Sequence, residues 1–284
     1  MLPHPSIAPL EIADGVVLYA FDVCVAVSVL VGVWVAERRA HAIGLDRRVV
    51  LDVSLWAIIP GFIAAHLYSL FFYFPGRVAA DPWVLLNIFG EMSSFGGFIG
   101  GACGVIGYFR LKNIPFWPYS DTLAFGFTVA WIFGRLGCTL AFDHPGLITD
   151  FALAMPYAGS AGLEAGVRHN LGFYEFLWAL GLSLFFLAHA RRPHFAGWHV
   201  VIFLLTYTPI RFAADFLRAV DKRYMGLTPG QYAAVALAAV GVWWWTIQGR
   251  GEITHANGEI HIFQDGRPAL VRRTQEHATP VDEA

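Results

Sequence analysis

Seven apolar stretches, each long enough to cross a bilayer as a helix, constrain this chain more than any other feature. They cover residues 16–36, 49–74, 84–109, 117–141, 171–190, 197–216 and 229–247. A hydrocarbon core of ~30 Å needs about 20 residues of helix. Lipid offers the backbone no hydrogen-bond partner, so each stretch must satisfy its own amides, as a helix does. The predicted fold is an all-α membrane protein, a polytopic bundle of about seven transmembrane helices. Composition agrees: 57% hydrophobic residues, 14% charged residues and a mean hydropathy of +0.55 leave too little polar surface for an ordinary soluble domain. With 19 Lys and Arg against 21 Asp and Glu, no basic face is on offer, which argues against a nucleic-acid partner.

Basic residues choose the orientation. Arg38, Arg39, Arg47 and Arg48 follow the first stretch, Arg110 and Lys112 the third, Arg191 and Arg192 the fifth, and Arg250, Arg267, Arg272 and Arg273 the seventh. The other side carries only Arg77, Arg168, Lys222 and Arg223. By the positive-inside rule the N-terminus is expected outside and the C-terminus in the cytoplasm. Residues 142–170 then form an external segment between helices 4 and 5, residues 1–248 the transmembrane domain, and residues 249–284 a cytoplasmic tail. Alternation across Glu252 to Val271 predicts a short hairpin in that tail, with Asn257-Gly258 or Asp265-Gly266 at its turn, and disorder beyond Thr274. The first 15 residues carry Glu11 and Asp14 and no basic run, so the first helix is expected to drive insertion itself.

Ionisable residues inside the stretches are few and costly, and mark functional or paired positions. They are Asp22, Glu91, Asp121, Arg135, Glu175, Arg211, Asp215 and Arg218. Arg135 sits in Gly134-Arg135-Leu136-Gly137, near the outer end of its helix. Its guanidinium stays charged at any usable pH and requires an anion, while the flanking glycines let a backbone or a substrate come close. Arg211, Asp215 and Arg218 fall on one helix face at i, i+4 and i+7, so Asp215 could neutralise its own neighbours. His66, His189 and His199 read as structural or interfacial. Cys24, Cys103 and Cys138 all lie in apolar runs, which predicts buried thiols with no disulfide framework and no metal site; no cofactor is expected.

The third stretch is rich in glycine, at Gly90, Gly96, Gly97, Gly100, Gly101, Gly104 and Gly107. Close helix packing explains most of these. Its first part, Glu91-Met92-Ser93-Ser94-Phe95-Gly96-Gly97, instead has the charge, hydroxyls and glycine pair of a discontinuous, cavity-lining segment.

Taken together, these motifs resemble the prolipoprotein diacylglyceryl transferase family. The likeness is collinear: Arg38-Arg39, Met92-Ser93 with Gly96-Gly97, Gly134-Arg135-Leu136-Gly137, Arg168-His169 with Tyr174-Glu175, then Arg211, Asp215, Phe216, Arg218, Asp221 and Gly230-Gln231. The resemblance implies a multi-pass enzyme of the bacterial cytoplasmic (inner) membrane. Such an enzyme moves a diacylglyceryl group from phosphatidylglycerol to the lipobox cysteine of a preprolipoprotein, so its partners are membrane lipids and a signal peptide. Arg135 and Arg211 become the expected clamp for the lipid phosphate, supported by Gly134, Gly137, Gly96, Gly97, His169, Glu175, Asp215 and Arg218.

Several positions depart from the family pattern. Phe95 stands where the family has a histidine, Cys138 and Ala141 where it has asparagines, Asp143 where it has a glutamate, and Phe21-Asp22 where it has tyrosine-glycine. The substrate thiol still needs a base or a positive field. His144 with Asp143 as its orienting partner is the favoured base. Glu91 is a second choice, and His169 a third that is equally placed to order the external segment against the fifth helix. The two arginines alone could also supply the field. The alternative function is a lipid-binding or transport protein that kept the scaffold without catalysis, or an enzyme of the same fold with another donor or acceptor. No internal repeat of the transporter kind is evident.

Overall fold

The computed structural model describes residues 1–5, 7–13, 16–87, 92–160, 162–192, 194–248, 252–254, 259–264 and 267–273. Strands β1 (Leu10–Ala13) and β2 (Val16–Leu18) pair antiparallel with Leu10 opposite Leu18. The first apolar stretch therefore opens as a strand, and helix α1 (Ala20–Ala42) begins at Ala20 instead of 16 and runs past 36. The Asp22 carboxylate accepts from the Tyr19 amide at 3.0 Å, so this charge serves the helix start. Helix α2 (Arg47–Tyr68) is capped by Asp46, contains Pro60 and closes in a π-helical turn over Ser69–Tyr73. A short helix, α3 (Pro75–Ala80), and a 3-10 turn over Pro82–Leu86 lead to α4 (Ser94–Lys112).

The third stretch was expected to be helical from 84, and here the expectation is corrected. Asp81 caps a tight turn through the Trp83 amide at 3.0 Å, that turn ends at Leu86, and the Ser93 amide donates to Ala65 of α2 at 3.0 Å. The regular helix starts at Ser94.

The remaining long helices follow the sequence expectation closely: α5 (Phe116–Ala141), α6 (Leu171–His189), α7 (Trp198–Phe216) and α8 (Pro229–Gln248). Between α5 and α6 lies a three-stranded antiparallel sheet in the order β3 (Pro145–Ile148), β5 (Gly166–Asn170), β4 (Met155–Tyr157). Phe142, Met155 and Tyr157 form its small core. The tail differs from the expected hairpin by one strand. Strands β6 (Glu252–Thr254), β7 (Glu259–Gln264) and β8 (Arg267–Arg273) pair antiparallel, β6 with β7 and β7 with β8; the expected turn residues themselves lie outside the described residues. The expectation of disorder beyond Thr274 falls outside the described residues.

α1 packs along α5, α2 along α4, α6 along α5 and α8 along α7. Glycine explains how close these contacts are. Gly96, Gly100 and Gly104 recur every fourth residue, and a Cβ on them would run into the backbone oxygens of Ala64, Pro60 and Trp56 respectively. A Cβ on Gly32 would come within 2.7 Å of Ala130 where α1 meets α5. Gly107 faces open space. Gly104→Val is expected to lower stability by about 1–3 kcal/mol more than Gly107→Val through overpacking, read as a lower unfolding midpoint in detergent. Equal midpoints would show that the α2–α4 contact is not so tight.

Among the described residues, four helical segments are long and apolar enough to cross a membrane: Ala20–Ala42, Arg47–Tyr73, Phe116–Ala141 and Leu171–His189. Glycine, Arg110 and Lys112 in α4, and Arg211 and Asp215 in α7, dilute the apolar character of those two helices. The distribution of side chains is that of a membrane protein. Leu30, Leu55, Ile59, Leu184 and Leu187 are exposed, whereas Arg135, Glu175, Arg211, Asp215, Thr228 and Gln231 are buried. Asp121 of α5 shows how such a charge is absorbed: it accepts from the amides of Gly197 and His199, each at 2.8 Å, and so caps α7.

Candidate active site

The site is assembled where the C-terminal end of α5 meets the first turns of α6. Asn170 fixes that junction. Its Oδ1 accepts from the Phe173 amide at 3.2 Å and caps α6, while its Nδ2 donates to the Thr139 carbonyl of α5 at 3.0 Å. Gly172 permits the approach, because a Cβ there would stand 2.9 Å from the Cys138 backbone. Glu175, one turn further on, is thereby set beside Arg135.

Glu175 is fully buried and binds two guanidinium groups at once. Arg135 Nε lies 2.9 Å from Oε2, and Arg211 Nη1 donates to Oε1 at 2.8 Å. The Tyr207 hydroxyl adds a longer contact to Oε2 at 3.4 Å. The array continues along α7: Arg211 Nη2 and Arg218 Nε each lie 3.2 Å from Asp215 Oδ1, and Arg218 Nη1 donates to Asp221 at 2.9 Å. Asp215 Oδ2 accepts from the Thr228 hydroxyl at 2.6 Å, which ties the array to the start of α8. The anion that Arg135 requires is thus supplied first by the protein itself. The i, i+4, i+7 pairing of Arg211, Asp215 and Arg218 is as the spacing predicts.

Aromatic faces complete the surroundings of both arginines. The Arg135 guanidinium lies 4.4 Å from the Trp131 ring centroid and that of Arg211 lies 5.5 Å from Phe95. Phe95, at the family's histidine position, is buried and covers Arg211, so it holds no proton there.

Beyond Ala141 the chain reverses. Phe142 adopts a left-handed conformation, φ 48°, unusual for a bulky residue. Its buried ring is held against His4 and Tyr157. This turn folds Asp143 and His144 back onto the last turn of α5. Asp143 Oδ1 stands 2.9 Å from His144 Nδ1. The ligand atoms of Cys138, Asp143 and His144 all lie within 4.8 Å of one another, and Arg135 Nη1 contacts Cys138 Sγ at 3.7 Å. Burial works to raise the Asp143 carboxyl, but the imidazole of His144 and the guanidinium of Arg135 outweigh it and hold the group below the usual carboxylate range. Asp143 is therefore an anion able to orient His144.

Strand β3 brings this corner to α7. The Leu147 amide donates to the Leu217 carbonyl at 2.8 Å and the Ala219 amide to the Pro145 carbonyl at 3.2 Å. The structure thus gathers Arg135, Arg211, Glu175, Asp215, Arg218, Asp143 and His144 into one contiguous set. His169 stands apart, donating to or accepting from the Tyr174 hydroxyl at 2.8 Å, where it orders the β-sheet against α6. Glu91 lies outside the described residues. Gly137 is tightly packed, a Cβ there meeting Cys24 at 2.9 Å, and Gly96 abuts α2, whereas Gly134 and Gly97 have ordinary room. Sequence reading missed Tyr207, Asn170 and the place of Cys138. Only Cys138, one residue beyond the Gly-Arg-Leu-Gly run, carried any local signal.

Residues 9–247 match the family model for prolipoprotein diacylglyceryl transferase. Relatives bearing the name phosphatidylglycerol–prolipoprotein diacylglyceryl transferase include a Chromohalobacter salexigens protein, 29% identical over 252 residues, covering 85% of this chain and 92% of the relative. Another, from Methylibium petroleiphilum, is 29% identical over 268 residues, 88% of this chain and 99% of its own. A third, from Streptomyces coelicolor, is 27% identical over 242 residues, 82% of this chain and 70% of its own. With the match extending from β1 to the last turn of α8, the chain belongs to the prolipoprotein diacylglyceryl transferase family.

Proposed function

We propose that this protein transfers the diacylglyceryl group of phosphatidylglycerol to the lipobox cysteine of preprolipoproteins, using Arg135 and Arg211 as the phosphate clamp and His144 as the base. The observation that carries this reading is the pair of guanidinium groups joined on one carboxylate beside an Asp–His pair. A guanidinium has five N–H donors. Glu175 and Asp215 engage only some of them and fix the planes of the rest, so the clamp is set before the lipid arrives. Burial strengthens its effect on a phosphate.

In the transfer, the substrate thiol loses its proton to His144 and its sulfur forms a bond to the glyceryl carbon. The carbon–oxygen bond to phosphate breaks, the electron pair stays on that oxygen, and glycerol phosphate departs. Charge growing on the phosphate is met by Arg135 and Arg211, and the imidazolium left behind faces the Asp143 carboxylate. In this reading all seven long helices cross the cytoplasmic membrane, with the N-terminus, the β3–β5 sheet and the site toward the outer face, where the signal peptide presents its cysteine. The basic ends of α1, α4 and α6 support that orientation.

The test is direct. Purified protein, phosphatidylglycerol vesicles and a lipobox peptide are expected to yield a peptide heavier by one diacylglyceryl group on its cysteine. His144→Ala is expected to lower the rate about 100-fold or more. An intact rate in that variant removes His144 from the role, and no adduct with the unaltered protein removes the transferase reading.

A further inference from the structure

Cys138, Asp143 and His144 form a cluster that the transfer chemistry does not absorb as a set. Three donor types meet there: a thiol at the end of α5, a carboxylate and an imidazole, with their ligand atoms all within 4.8 Å of one another. Cys138 is buried, while Asp143 and His144 keep about a third and a quarter of their side-chain surface accessible, which leaves an entry path. We propose that these residues form a site for a soft divalent cation such as Zn2+.

The chemistry of the set selects the ion. Thiolate and imidazole favour zinc and its neighbours over magnesium or calcium, which prefer all-oxygen sites. Charge also matches: one thiolate and one carboxylate neutralise a divalent ion, with the imidazole neutral, so a charge-neutral unit forms at the end of a membrane helix. Binding releases the thiol proton, together with any proton shared between His144 and Asp143. Arg135, paired with Glu175 at 2.9 Å, also stands 3.7 Å from Cys138 Sγ, where its charge favours the thiolate that the ion needs. Three protein ligands leave a fourth tetrahedral position open. The turn at Phe142 that builds the site is anchored by the rings of His4 and Tyr157, so the ligands are held together before the metal arrives. The site stands on this geometry alone; a bound ion takes the imidazole lone pair that His144 would use as a base, so occupancy and proton transfer at His144 exclude each other.

Cobalt reports the ligands by colour. Tag-free, metal-stripped protein in nanodiscs, titrated with Co2+, is expected to develop a near-ultraviolet thiolate-to-cobalt band and the strong visible bands of tetrahedral cobalt, both lost on adding Zn2+. Cys138→Ser is expected to abolish the thiolate band and weaken Zn2+ binding at least about tenfold. His144→Ala, outside the helix, is expected to keep a thiolate band but weaken binding similarly. The double variant Cys24→Ser, Cys103→Ser is expected to behave as the unaltered protein. A thiolate band that survives Cys138→Ser, or is absent from the unaltered protein, overturns the site.

Discussion

Glu175→Ala is expected to cost about 3–5 kcal/mol of stability, because it leaves two guanidinium groups without their shared carboxylate in a buried, low-dielectric place. Glu175 is fully buried, and Arg135 and Arg211 retain only 4% and 3% exposure, so solvent screens the orphaned charges poorly. Arg211 still has Asp215 at 3.2 Å, whereas Arg135 would keep, among the described residues, the Cys138 sulfur, the Trp131 face and the field of the Asp143 carboxylate. The damage should therefore fall mainly on the Arg135 side. An Arg135→Leu, Glu175→Leu double variant is expected to recover much of the loss, since it removes both members of one pair and leaves Arg211 with Asp215. Unfolding in detergent, run as a double-mutant cycle, measures this. A single-variant cost below about 1 kcal/mol would mean that Glu175 does not hold the two arginines together.

Arg135→Lys is the second large effect: the transfer rate is expected to fall about 100- to 1000-fold, close to that of Arg135→Ala. Lysine keeps the charge but not the planar fork, and one ammonium cannot hold Glu175 and face a phosphate in fixed directions together. The fold should survive both changes, because Glu175 remains paired with Arg211 at 2.8 Å. Initial rates against phosphatidylglycerol concentration separate the roles: a clamp acting on the leaving group lowers kcat, whereas a mere lipid-holding residue raises KM. A lysine variant with nearly full kcat would refute the fork.

The long helices and their order were legible because lipid imposes one length and one backbone solution on each apolar stretch. The start of α4 was not, since residues 84–93 are apolar enough to pass for helix while the Ser93 amide is engaged by Ala65 of α2. Among the charges, Arg211, Asp215 and Arg218 could be paired by helical spacing alone. Arg135 and Glu175 could be named as costly but not joined, because 40 residues and a whole β-sheet separate them. Cys138 was set aside as a buried thiol. Its neighbours come from a left-handed turn at a phenylalanine, a conformation that residue identity argues against. Asp121 likewise looked like an unpaired membrane charge until α7 supplied amides for it.

The way the buried charges are paired has a consequence for how the chain enters the bilayer. Counted from the N-terminus, α5 delivers Arg135, and the next helix to arrive brings Glu175 to it. Helix α7 then arrives with Arg211 already matched by Asp215 within the same helix, followed by Arg218 beside Asp221. Arg135 and Arg211 thus reach the membrane with a counter-charge in the very next helix or in the same one, and Arg218 meets its own just past the end of α7, so no intermediate of insertion has to hold more than one uncompensated charge from this network. The pairing that joins Arg135 and Arg211 on one carboxylate also spaces the network's charges so that each new helix cancels what the one before it left open.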